Sequence, residues 1–195
     1  MNDLQVRYAL VLHPDSVCDA IEAFEVDVSR PAADRLLLTY DIEGEIGDLI
    51  LPPPATGTRT DELWRHTCFE AFMKPAGGEG YRELNLAPSG DFAAYRFDGY
   101  RAGMVPAADI APVTVQSDRR PPRRRSIARS GRAGWYQQRV TWAVPDLSSG
   151  RLGLSAVVEE VGGRRSYWAL AHPPGAPDFH HPACFVARLP APGAS

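Results

Sequence analysis

Apolar residues in this chain recur at every second position in short runs, the spacing of half-buried strands rather than of amphipathic helices. Such runs fall at 4–12, 24–30, 35–43, 46–51, 64–73, 80–87, 91–98, 135–144, 151–160, 165–171 and 184–189. They are punctuated by turn residues: Pro88, Ser89 and Gly90 separate two of them as a hairpin, and Gly162 with Gly163 separate two more. With 18 prolines and 17 glycines, few windows exceed ten residues without a breaker, which leaves little room for helix. The best helical candidate is 16–24, SVCDAIEAF, capped by Asp15 or Ser16 with Val17, Ala20, Ile21 and Phe24 at helical spacing. The pattern predicts an all-β, antiparallel β-sandwich of jelly-roll type over residues 1–195. It should have about ten strands in meander or Greek-key order and only short helical turns.

Side chains alternate across a strand, so each strong strand splits into two faces. In 64–73, Thr67, Phe69, Ala71 and Met73 form a core face, with His66, Cys68, Glu70 and Phe72 opposite. In 81–87, Leu84 and Leu86 oppose Tyr81, Glu83 and Asn85. After the turn, the apolar Ala93, Tyr95 and Phe97 read as core, with Arg96 opposite. This splitting predicts a polar row of His66, Glu70, Glu83, Asn85 and Arg96 on one side of three consecutive strands, joined by Trp168 and His172 from a late strand. Hydrogen-bonding groups beside flat aromatic faces are what a sugar requires, with its hydroxyl edges and C–H faces. The same row is also what the solvated face of an antiparallel sheet looks like.

Composition narrows the alternatives. Hydrophobic residues at 44% and charged residues at 23% are those of a globular protein. The net charge is −3, but Arg119, Arg120, Arg123, Arg124, Arg125, Arg129 and Arg132 fall together; removing those seven positive charges leaves the remainder at −10. The segment 118–134 that holds them is nearly free of apolar residues and reads as a mobile, solvated loop. An acidic body and the absence of aromatics among the arginines argue against nucleic acid as partner. Three cysteines without CxxC spacing read as reduced thiols, and no leader or membrane-spanning run is visible, so a cytoplasmic, membrane-free protein is expected.

Motifs for common chemistries are missing: there is no GxSxG, P-loop, GxGxxG or HExxH. His172, Asp178, His180 and His181 share a proline-rich loop, but their spacing matches no zinc pattern, so no metal is expected. Glu70 and Glu83 have the residue types of a glycosidase acid/base pair, which turns on a separation the sequence does not give. The reading leans away from an enzyme.

Two stretches carry a resemblance. LWRHTCFEAFM with GYRELNLAPSGDFAAYRFDGYR, and the closing SYWALAHPPGAPDFHHPACFVARL, resemble bacterial DOMON-like proteins related to family 9 carbohydrate-binding modules. The resemblance implies a β-sandwich with a ligand pocket on one sheet, holding a sugar in some members and haem in others. It points to a non-catalytic small-ligand module, most simply a carbohydrate-binding one. Here Trp64, Tyr95 and Trp168 would supply stacking surface, and His66, Glu70, Glu83, Asn85, Arg96 and His172 polar contacts. Haem held by His66, His172 or His180 with a methionine is the alternative, and a protein-interaction scaffold using the arginine loop is the second.

Overall fold

The computed structural model describes residues 5–121, 133–147 and 149–189. Among the described residues there are thirteen strands: β1 (Val6–Ala9), β2 (Val11–Leu12), β3 (Ile21–Ala32), β4 (Arg35–Gly44), β5 (Cys68–Pro75), β6 (Tyr81–Leu86), β7 (Phe92–Phe97), β8 (Val105–Pro106), β9 (Ala111–Arg120), β10 (Gly134–Ala143), β11 (Gly150–Glu159), β12 (Arg165–Ala169) and β13 (Ala187–Arg188). They form two antiparallel sheets, one ordered β1-β3-β4-β10-β9 and the other β2-β12-β11-β5-β6-β7-β8 with β13 on β11. The expected antiparallel β-sandwich is the architecture found. No helix of the described residues is long and apolar enough to cross a membrane.

Alternation builds the first sheet. In β4, Leu36, Leu38, Tyr40 and Ile42 all point inward, and in β10 Tyr136, Val140 and Trp142 do the same. They meet Phe69, Ala71 and Met73 of β5, Leu84 and Leu86 of β6, and Leu152, Leu154, Ala156 and Val158 of β11. Aromatic contacts bridge the sheets: Phe69 lies 5.0 Å from Tyr40 and 6.1 Å from Tyr136. The Tyr40 hydroxyl donates to the Glu70 carbonyl at 2.8 Å, which satisfies the one polar atom this ring buries.

The second sheet is buried on its other face too. There Phe72, Tyr81, Ala93, Tyr95, Phe97, Val157 and Ala169 form a separate cluster with Phe179 and Phe185, which come from the segment 170–186 lying across the sheet. Double burial is why every residue of β5 from Cys68 to Met73 is buried, hydrophobic or not.

Local expectations met four corrections. Residues 16–20 form no helix, and Ile21 already starts β3, because Phe24, Val26 and Val28 have inward positions in a two-residue repeat that the sandwich satisfies better. Residues 46–48 are a 3-10 turn, and only Leu49 makes a bridge, to Glu160. The sequence APVTVQSDRR, too polar to read as a strand, is β9, held at the sheet edge by β10. Consequently the arginine segment is not loop at its ends: Arg120 opposes Trp135 in the ladder, while 122–132 lie outside the described residues.

Trp168 is 7% exposed and packs 5.7 Å from Phe24 between the sheets, whereas Arg96 is a half-exposed partner of Asp109 at 2.5 Å. Trp168→Ala should therefore cost about 3–5 kcal/mol in denaturant unfolding, and Arg96→Ala no more than about 1 kcal/mol. Similar costs for both would contradict this packing.

Candidate functional site

Opposed residues of an antiparallel pair share a face. Glu70 opposes Asn85 on β6 and Ser155 on β11, Phe72 opposes Glu83, and Glu83 opposes Tyr95. Glu70, Glu83, Asn85, Ser155 and Tyr95 therefore stand on the outer face of the second sheet, beneath the 170–186 segment. Between sheet and segment is a pocket of about 390 Å³, within the usual range for small-ligand sites. Glu70, Glu83 and Val157 line its floor; Trp64, Phe97, Tyr167 and Phe179 line its walls; Arg65, Arg101, Met104, Arg165, Pro177 and His180 complete it.

The covering segment is tethered at Asp178. Its carboxylate accepts from Arg101 Nη2 at 2.7 Å and Nε at 3.2 Å, from the Tyr100 hydroxyl, and from the His180 backbone N–H at 3.2 Å. Burial opposes ionisation there, but the bonds from Tyr100 and Arg101 outweigh it and hold the Asp178 carboxyl below its ordinary value. His180 enters the site from the same segment. The Arg101 backbone N–H donates to the Tyr81 hydroxyl oxygen at 3.3 Å, and that hydroxyl lies 2.7 Å from His180 Nδ1. With the hydroxyl donating to Nδ1, the proton of the neutral ring is on Nε2, 3.9 Å from Glu83 Oε2. Burial and the Arg101 charge push the imidazole down to about 4, so it is neutral at pH 7.

The floor is unusual for a sheet surface. Glu70 and Glu83 are 3% and 4% exposed. Glu83 Oε1 accepts from Asn85 Nδ2 at 2.7 Å, and Glu70 Oε2 takes the Ser155 hydroxyl at a long 3.4 Å. Glu70 Oε1 and Asn85 Oδ1 are buried without a hydrogen-bond partner. Burial, and for Glu70 the neighbouring Glu83 charge, drive both carboxyls up: Glu70 well above its ordinary value and Glu83 to about 7. Two carboxyls so placed titrate as one unit that keeps a proton near neutrality.

Of the residues the sequence pointed to, the structure brings Trp64, Glu70 and Glu83 to the pocket, with Asn85 beneath Glu83. Tyr95 stands behind Trp64, ring centroids 6.1 Å apart, with its hydroxyl donating to Asp61 at 2.6 Å. Four expectations need correction. Arg96 is on the opposite face, because the pairing Leu86 with Phe92 fixes the phase of β7 and sends Phe92 and Ala94 to the core instead of Ala93 and Tyr95. Trp168 opposes Ala156 and points into the core. His66 is exposed outside the pocket, its Nδ1 2.9 Å from Glu159 Oε2. His172 is tied to the Val11 carbonyl at 2.9 Å and packs edge-on against His13.

Sequence reasoning missed Tyr167, Phe97, Phe179, Arg65, Arg101 and Arg165. Tyr167 was within reach, as the aromatic neighbour of opposite parity to Trp168. His180 and His181 point apart: His180 packs 5.1 Å from Phe72, while His181 Nδ1 accepts from Ala183 N–H at 3.2 Å. Among the described residues no group of three or more His, Cys, Asp or Glu is placed to hold a metal ion.

The raised Glu83 value gives a signed prediction. Between its ordinary 4.5 and about 7 the folded protein holds more protons than the unfolded chain, so this group's contribution to stability falls as pH rises through that window. Glu83→Gln removes that loss and frees Glu70 from a neighbouring charge. The variant should be more stable than the parent at pH 8 by on the order of 2 kcal/mol, with the gain gone by pH 4. His180 slopes the other way but is common to both proteins and cancels in the difference. A gain that does not vary with pH, measured by chemical denaturation, would refute buried carboxyls as its origin.

No family model matches the sequence, and no curated protein matches it. Among solved structures the chain is similar to the crystal structure of a "putative carbohydrate-binding protein" from Bacteroides uniformis ATCC 8492, with a TM-score of 0.56 and 14% identity, covering 94% of this chain and 84% of that one. At that identity the likeness shows the fold: a β-sandwich that is shared along nearly the whole chain.

Proposed function

We propose that this protein is a non-catalytic sugar-binding module whose ligand occupies the pocket on the outer face of the second sheet. One observation carries the reading: a buried carboxylate with an unpartnered oxygen, Glu70, in the floor of a pocket walled by Trp64, Tyr167, Phe97 and Phe179. Hydroxyls of a saccharide would donate to Glu70 and Glu83 while its C–H faces lie on the rings, and His180 Nε2–H would donate to a ligand oxygen. The shared fold with a protein described as carbohydrate-binding supports this, as does the resemblance of the two motif-rich stretches. The site is finite and partly roofed by 170–186, which suits a mono- or disaccharide rather than a long chain lying across an open sheet.

Isothermal titration with neutral and amino mono- and disaccharides at pH 7 tests the reading. Binding should be found for at least one, and Trp64→Ala and Tyr167→Ala should each weaken it about tenfold with little change in melting temperature. No heat with any sugar would remove the proposal.

Haem has one observation in its favour, that His180 and Met104 line the same pocket. Against it, Met73 lies in the inter-sheet core, and His180 is bonded through Nδ1 to Tyr81 with Nε2 directed at Glu83, above two buried carboxyls. These residues do not fit axial ligation of haem. Protein expressed with haem supplied should show no Soret band after purification, and a stoichiometric band would reverse this assignment.

A further inference from the structure

We infer that the ligand is an amino sugar, its ammonium group seated between Glu70 and Glu83; this rests on the sugar-binding reading and specifies it. Among the described residues no lysine or arginine nitrogen lies within 4.0 Å of either carboxylate; within that distance only His180 Nε2, at 3.9 Å, approaches Glu83, and the Arg101 charge acts on Glu83 from farther off. That ring is neutral at pH 7, its Nδ1 engaged by Tyr81.

The guanidinium groups at the mouth belong elsewhere. Arg101 is bound by Asp178 at 2.7 Å, Arg65 by Glu62 at 2.8 Å, and Arg165 donates to the Arg65 carbonyl at 3.1 Å. None makes an ion pair with a floor carboxylate. Two adjacent buried carboxyls with no ion-paired cation are an arrangement in which ionisation is costly until a cation arrives.

Hydroxyl donors alone would satisfy the open acceptors but not the charge. An ammonium group supplies both: three donors, for which Glu70 Oε1 has no present partner and Glu83 Oε2 only the long approach of His180, and a positive charge. The walls agree with a cation. Trp64, Phe97, Tyr167 and Phe179 surround the floor, and aromatic faces attract ammonium by their quadrupoles. Asn85 Nδ2 donates to Glu83 Oε1 at 2.7 Å, which holds that carboxylate in place.

The test is titration calorimetry at pH 7 with glucose, galactose and mannose, each as the parent sugar, the 2-amino sugar and the 2-acetamido sugar. In at least one series the amine should bind ten times or more tighter than both parent and acetamide. Glu70→Gln and Glu83→Gln, verified by melting to be folded, should each reduce the amine-to-parent preference at least threefold. If a parent or acetamido sugar binds as tightly as its amine, the ammonium inference is wrong and the sugar-binding reading survives. If the preference persists undiminished in both glutamine variants, the ammonium is not held by these carboxylates. If none of the nine sugars binds, the ammonium inference falls, and if the disaccharides do not bind either, the sugar-binding reading falls with it.

Discussion

The burial of the second sheet on both faces is the constraint on which the rest of the site depends. An antiparallel sheet normally leaves one face wet, and there Glu70 and Glu83 would be ordinary solvated carboxylates. Here the 170–186 segment lays Phe185 on Phe72 and Tyr81, Phe179 on Tyr167 and His180 on Phe97, and the Asp178 clamp to Tyr100 and Arg101 pins that segment down. Water is thereby excluded from one half of the outer face. The carboxyls in the remaining hollow lie in a medium of low dielectric, where they hold protons and leave acceptors unpaired.

That constraint also separates what was legible in the sequence from what was not. The inward residues of β4 and β10 alternate mostly with polar ones, Thr39, Asp41, Gln137 and Arg139 among them, so period two reads more plainly there. In β5 and β7 both sides are dry. FAAYRF offers apolar residues at either parity, and choosing the larger set, Ala93, Tyr95 and Phe97, as core inverted the strand. The hairpin arithmetic held the answer: with five residues between Leu86 and Phe92, residues of equal parity on β6 and β7 share a face, which places Tyr95 beside Glu83. Glu70, Glu83 and Trp64 were readable as candidates because acids and an indole among strand residues are conspicuous.

What no local pattern encodes is the roof. Phe179, His180 and Arg101 enter the site through chain segments distant from β5 and β6 in sequence. Their role exists only once the segment folds across the sheet, so a proline-rich stretch with three histidines and an aspartate read as a loop. β9 was invisible for a related reason. Its side chains are half-exposed or exposed, and what holds it as a strand is the ladder offered by β10, since the short repeat Ala111, Val113, Val115 leaves Val113 in solvent.

Roof and floor are joined through Tyr81, and the junction makes the pocket one unit. Its ring stacks 4.6 Å from Phe97, while its hydroxyl accepts from Arg101 N–H and donates to His180 Nδ1. The imidazole is neutral at pH 7 chiefly because it is buried. Arg101 reinforces this by its charge and at the same time fixes Asp178, so one residue both holds the roof closed and keeps His180 uncharged. A roof held by groups that favour neutral histidine, over a floor whose carboxyls retain protons, is a site built with little internal charge compensation. On the sugar-binding reading proposed above, the donors that the floor's open acceptors lack come from the ligand.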